Sequence, residues 1–134
     1  MRVLSTPIHA GITGFESPAA EYQSIALSLD ELLVERPSAT WLGVAQGDSM
    51  NGAGIFDGDI LIIDRSVKVQ TGDIIVANYN HDFVCKYINV ERGILYSANE
   101  LHSPVSIGEA DVFSSEGVVT RSIRAHRPSP LLRY

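Results

Sequence analysis

The chain has 134 residues, 45% hydrophobic and 19% charged, the balance of a polypeptide that buries one core and not of a disordered one. Its formal net charge of −6 argues against strong direct DNA binding, because phosphate neutralisation needs a basic surface. A lone cysteine, Cys85, excludes an internal disulfide, and His9, His81, His102 and His126 are scattered without metal-ligand spacing. The N-terminus lacks a signal-peptide run, and no segment approaches the roughly 20 apolar residues of a membrane span. The expectation is a cytoplasmic protein with no metal, no cofactor and no membrane association.

In chain order, residues 1–24 show no strong period and contain Pro7, Gly11, Gly14 and Pro18, which predicts an extended, flexible arm. A short helix is predicted over 29–35. Ser28 with Glu31 three residues on forms a capping-box pattern, Pro37 stops it, and Leu29, Leu32 and Leu33 give it one apolar face. From residue 39 the signal changes to strands: 39–45, 60–63, 73–78, 83–88, 94–98, 111–113 and 117–123, separated by turn residues such as Asp57-Gly58-Asp59 and Thr71-Gly72. Many short strands with almost no helix predict a compact, mostly β domain. The organisation read from this is an arm over 1–24, a β-rich domain over 25–126 and a tail over 127–134. Residues 121–134 hold four arginines and no acid, and with Pro128 and Pro130 they read as a solvated tail.

Two side chains stand out for chemistry. Ser49 lies in Gly47-Asp48-Ser49-Met50, where a strand ends and a tight turn begins. Such a place can present a hydroxyl beside backbone N–H groups free to stabilise an oxyanion. By itself this is ordinary turn chemistry. Lys86 interrupts Phe83-Val84-Cys85-Lys86-Tyr87-Ile88, a run otherwise suited to a buried strand. An edge-strand lysine reaching solvent is the common case. An apolar wall would instead favour the neutral amine, which can take a proton from a serine.

The order of four segments decides between these readings. Gly47-Asp48-Ser49-Met50, then Gly54 to Asp59 running into Leu61-Ile62-Ile63-Asp64, then Gly72-Asp73-Ile74-Ile75-Val76-Ala77, then Phe83-Val84-Cys85-Lys86, together resemble the peptidase domain of the LexA/UmuD family. The spacing between Ser49 and Lys86 agrees with that family. The short arm Gly14-Phe15-Glu16-Ser17-Pro18, followed by Leu29 to Leu33 and Pro37-Ser38-Ala39-Thr40, is similar to the UmuD branch, and no helix-turn-helix pattern precedes it.

The resemblance implies a domain of short, curved antiparallel strands with one short helix. It also implies autocatalytic serine-protease cleavage, with Ser49 as nucleophile, Lys86 as general base and the backbone N–H groups of Ser49 and Met50 as the oxyanion hole. The bond implied is Thr13-Gly14. The family has Cys or Ala before that glycine, so Thr13 departs from the pattern, and Ala10-Gly11 is the alternative. The glycine lets an extended backbone press close to the nucleophile. The partners implied are a second copy in a homodimer, the RecA–single-stranded DNA filament that stimulates the cut, and a UmuC-type Y-family polymerase that the trimmed dimer joins for translesion synthesis in the SOS response. The competing expectation is a non-cleaving dimeric interaction module, or a phage or plasmid antagonist that binds the same partners.

Overall fold

Alternation and turn chemistry account for most of the structure, a computed structural model that describes residues 28–128 together with the backbone of 2–4 and 22–24. The chain divides into two compact units, residues 1–35 and 36–134. In the first, β1 (Arg2–Leu4) and β2 (Tyr22–Ser24) pair antiparallel, Arg2 opposite Ser24. These strands fall within the predicted arm and carry no alternation long enough to announce them. Helix α1 (Leu29–Leu33) is shorter than the 29–35 expected. The Ser28 side chain accepts from the Glu31 N–H at 3.1 Å, as the capping pattern requires. The helix ends at Val34, and Pro37 opens a separate 3-10 turn over Pro37–Ala39.

The second unit is one seven-stranded antiparallel sheet. Its strands are β3 (Thr40–Val44), β4 (Ile60–Asp64), β5 (Ile74–Tyr79), β6 (Asp82–Asn89), β7 (Ile94–Tyr96), β8 (Val105–Ser106) and β9 (Phe113–Ile123), in the order β3-β4-β9-β5-β6-β7-β8. The fold is the compact, mostly β domain expected. Tyr79 and Asp82 close the β5–β6 hairpin around Asn80 and His81, both at positive φ, the two-residue turn whose twist suits a hairpin.

β9 runs unbroken where two strands, 111–113 and 117–123, were expected. Gly117, read as the first residue of the second of these, lies inside the strand at φ 138°, where a Cβ would come within 2.7 Å of Ile63 Cγ2. The register slips twice along β9, once against β4 between Ile62 and Ile63 and once against β5 between Val76 and Ala77. Bulges of this kind bend a strand and raise its local twist. The sheet therefore curls until β3 and β6, four places apart in strand order, face each other. The Trp41 and Phe83 rings meet edge to face at 6.4 Å between centroids.

Curling gives two apolar clusters on opposite faces of the sheet. Met50, Ile55, Leu61, Ile63 and Val76 form one; Ile75, Ala77, Ile88, Leu95 and Val118 form the other. Ile75 and Val76 go to different clusters because successive strand residues face opposite ways. Met50, 3% exposed, carries the middle of the β3–β4 loop, residues 45–59, into the first cluster. Its sequence neighbour Ser49 is half-buried.

Candidate active site

The β3–β4 loop is held from both ends. At its start the Gly47 N–H donates to Asp57 Oδ1 at 2.8 Å, with Gly47 at φ 88°. After the serine, the Asn51 N–H donates to the Asp48 carbonyl, and the Ala53 and Ile55 N–H groups both donate to the Met50 carbonyl. The N–H groups of Ser49 and Met50, in contrast, have no acceptor among the described residues. An oxyanion site needs N–H donors that are not already taken by an acceptor of the fold.

Further along, Asp59 locks the loop in place. It is 2% exposed, accepts from the Phe56 N–H at 2.8 Å, and takes two hydrogen bonds from Arg124, Nε and Nη2, each at 2.8 Å. Arg124 also donates to the Gly54 carbonyl and lies over the Phe56 ring at 4.3 Å. The Arg124 hydrogen bond, helped by the Phe56 N–H, outweighs burial and holds the Asp59 carboxyl below its ordinary range. Arg124 was expected in a solvated tail. It is a scaffold residue, and Arg121 lies within β9.

Lys86 lies on β6, opposite Ile75 of β5 and one residue before the stretch Tyr87–Asn89 that pairs with β7. It is half-buried, and desolvation lowers its pKa from the usual 10.5, with Cys85 and Asp48 acting weakly the other way. Burial in turn pushes the Cys85 thiol up to about 11, so the thiol is not a reactive nucleophile near neutral pH. Ser49 and Lys86 line one cleft of about 160 Å³, with Ala45, Met50, Phe83 and Val84 among its other walls. No hydrogen bond joins the two. The Lys86 Nζ donates instead to Ser97 Oγ at 2.9 Å. A larger groove of about 450 Å³ shares Ala45, Phe83 and Val84 with this cleft and runs between β3 and β6 past Trp41 and Gly43.

A serine hydroxyl and a desolvated lysine lining one cleft are the groups that acyl transfer by a serine–lysine pair uses. Among the described residues no cluster of His, Cys, Asp and Glu could hold a metal ion. The Peptidase S24-like family matches residues 5–120, most of the chain. The chain belongs to that family, the LexA/UmuD self-cleaving serine peptidases. Relatives of this chain include protein MucA of Escherichia coli, 39% identical over 84% of this chain and 79% of that protein. Protein ImpA of Shigella flexneri is 44% identical over 54% of this chain and 50% of its own length. The LexA repressor of Colwellia psychrerythraea is 34% identical over 68% of this chain and 44% of the repressor. The chain thus spans about half the length of some of the curated relatives it matches.

Of the peptidase residues singled out in sequence, Ser49, Met50 and Lys86 come together around the cleft. Thr13, Gly14, Ala10 and Gly11 lie outside the described residues. Ser97 was missed. Its signal is the β6–β7 hairpin: Tyr87 pairs with Tyr96, so the next step of that register sets Ser97 across from Lys86. Among the described residues no helix is long and apolar enough to cross a membrane.

Proposed function

We propose that this chain is a self-cleaving accessory subunit of an error-prone translesion DNA polymerase, acting in the SOS response to DNA damage. The observation that carries the catalytic part is the shared cleft, where a desolvated Lys86 and Ser49 line the same walls. Neutral Lys86 takes the Ser49 hydroxyl proton as Ser49 Oγ attacks the Thr13 carbonyl, or that of Ala10. The N–H groups of Ser49 and Met50 hold the oxyanion. Lys86 returns the proton to the leaving amine of Gly14 or Gly11, and water then hydrolyses the acyl-enzyme on Ser49. The product is a chain shortened within residues 1–24, which as a homodimer joins a UmuC-type Y-family polymerase. A RecA–single-stranded DNA filament raises the rate by favouring the state in which the arm occupies the cleft.

Support for the biological setting comes from family membership and from likeness to MucA and ImpA. The test is intact-mass measurement after incubation with RecA filaments, and separately at alkaline pH. Loss of residues 1–13 is expected in the wild type and none in Ser49→Ala; loss of residues 1–10 would move the cut to Ala10-Gly11. One sequence feature favours the non-cleaving interaction module: Thr13, β-branched, stands where the family has a smaller residue. An unchanged mass under both conditions would select that reading.

A further inference from the structure

Between β7 and β8 the chain runs from Ser97 to His102 across both halves of the site. At one end Ser97 Oγ accepts from Lys86 Nζ at 2.9 Å. Next along, the Ala98 carbonyl accepts from the Gly52 N–H at 2.7 Å, an approach so close that a Cβ on Gly52 would lie 2.4 Å from that oxygen. Asn99 Nδ2 donates to the Asp48 carbonyl at 3.0 Å, and His102 Nε2 meets Asp48 Oδ1 at 2.8 Å. One six-residue segment thus holds the residue before the nucleophile, the turn after it, and the amine of the base. The nucleophile loop and β6 are distant in sequence, and this segment touches both. A third cavity of about 210 Å³, lined by Lys86 together with Tyr79, Leu95, Ser97 and His102, leaves the amine room to swing away if that hydroxyl is lost.

We propose that Ser97–His102 is the positioning element of the site, with Ser97 holding the base and Asn99 and His102 holding the loop that carries Ser49. The inference rests on the Ser49–Lys86 reading. A lysine has four rotatable side-chain bonds, so an unanchored amine samples positions too far from Ser49 for proton transfer, and a misplacement of about 1 Å can cost a reaction roughly 100-fold. Ser97 takes one N–H of an amine whose side chain also lines the cleft with Ser49. The titratable groups around that amine are Asp48 on the nucleophile loop, His102 on the positioning segment, Tyr79 on β5 and Cys85 on β6.

Two measurements on the full chain test this. The sequence holds two lysines, Lys68 and Lys86, so a side-chain carbon NMR titration reads Lys86 directly, with exposed Lys68 as reference. In a Ser49→Ala background, which prevents cleavage during the titration, Ser97→Ala lowers the Lys86 midpoint by about half a unit to one unit, because the ammonium loses an acceptor. Ser97→Thr restores it. With Ser49 present, Ser97→Ala lowers the alkaline plateau of self-cleavage roughly 10- to 100-fold, and Ser97→Thr recovers most of the rate. Asn99→Ala lowers the plateau while the Lys86 midpoint stays in place. A Lys86 midpoint unmoved by Ser97→Ala would overturn the role given to Ser97, whether or not the wild type cleaves. A plateau unmoved by Asn99→Ala would overturn the role given to the rest of the segment. Absence of cleavage in the wild type contradicts the protease reading separately.

Discussion

Asp59 is fully and Lys86 partly withdrawn from solvent, and their surroundings differ in kind. Asp59 has a guanidinium on two of its lone pairs and a backbone N–H on a third, so it keeps its charge. Lys86 has a neutral hydroxyl and, among the described residues, no ion-pair partner, so burial favours its uncharged form. The physical rule is the same at both places: a buried charge is costly unless paired. The scaffold supplies the pair at Asp59, and the cleft withholds it at Lys86, where the proposed mechanism needs a proton acceptor.

The largest expected effect comes from removing the chemistry at one pole of this contrast. Lys86→Ala, Ser49→Ala and Lys86→Arg should each lower self-cleavage at least about 1,000-fold, read by intact mass. The arginine variant fails because a guanidinium does not deprotonate. Next, Ser97→Asp would make the cleft resemble the Asp59 site by placing a carboxylate where the hydroxyl now bonds the amine. The ammonium form is then favoured, the rate near neutral pH falls roughly 10-fold or more, and the pH profile moves to higher pH by about one unit or more. A profile that stays in place would show that pairing does not control this lysine.

At the other pole, Arg124→Met leaves Asp59 buried without its cation. A fall in Tm of roughly 5–10 °C is expected, with the pH midpoint of cleavage unmoved, since Lys86 takes nothing from Arg124. The smallest effect lies in the acid limb. The folded-state pKa of Asp59 is lowered below 3.8, so its contribution is complete above the unfolded value and lost as pH falls through the lower folded one. Asp64, held down by Ser66 and Arg36, adds a loss of the same sign. Thermal melts from about pH 6 to pH 2 should therefore fall below about pH 4, and fall less steeply in Arg124→Met.

Much of the fold was legible because its signals are local. Ser28 with Glu31 marked the helix start, and the apolar run Ile60–Ile63 and the turn ahead of Ile74 marked strands that the structure contains. Strands β1, β2 and β8 are two or three residues long, too short for alternation to show. β9 was cut in two at the polar stretch Ser114-Ser115-Glu116, yet Ser114 and Ser115 pair with β5.

The site was legible in part. Ser49 and Lys86 were marked by ordered segments, not by either residue alone. Ser97 was not, because nothing about a serine after a short strand is unusual until the hairpin register sets it opposite Lys86. Arg124 was read as tail because its partner, Asp59, is 65 residues away in the chain.

The account turns on whether Ser49 and Lys86 act as one nucleophile and base. The most direct measurement is an intact-mass time course of the full chain across about pH 7 to 10, for wild type and Ser49→Ala side by side. The wild type is expected to lose residues 1–13 or 1–10 at a rate that climbs with pH as Lys86 deprotonates, through a midpoint below 10.5, while the variant stays whole. A wild type that keeps its full mass at every pH, or a Ser49→Ala chain that is shortened just as fast, would contradict it.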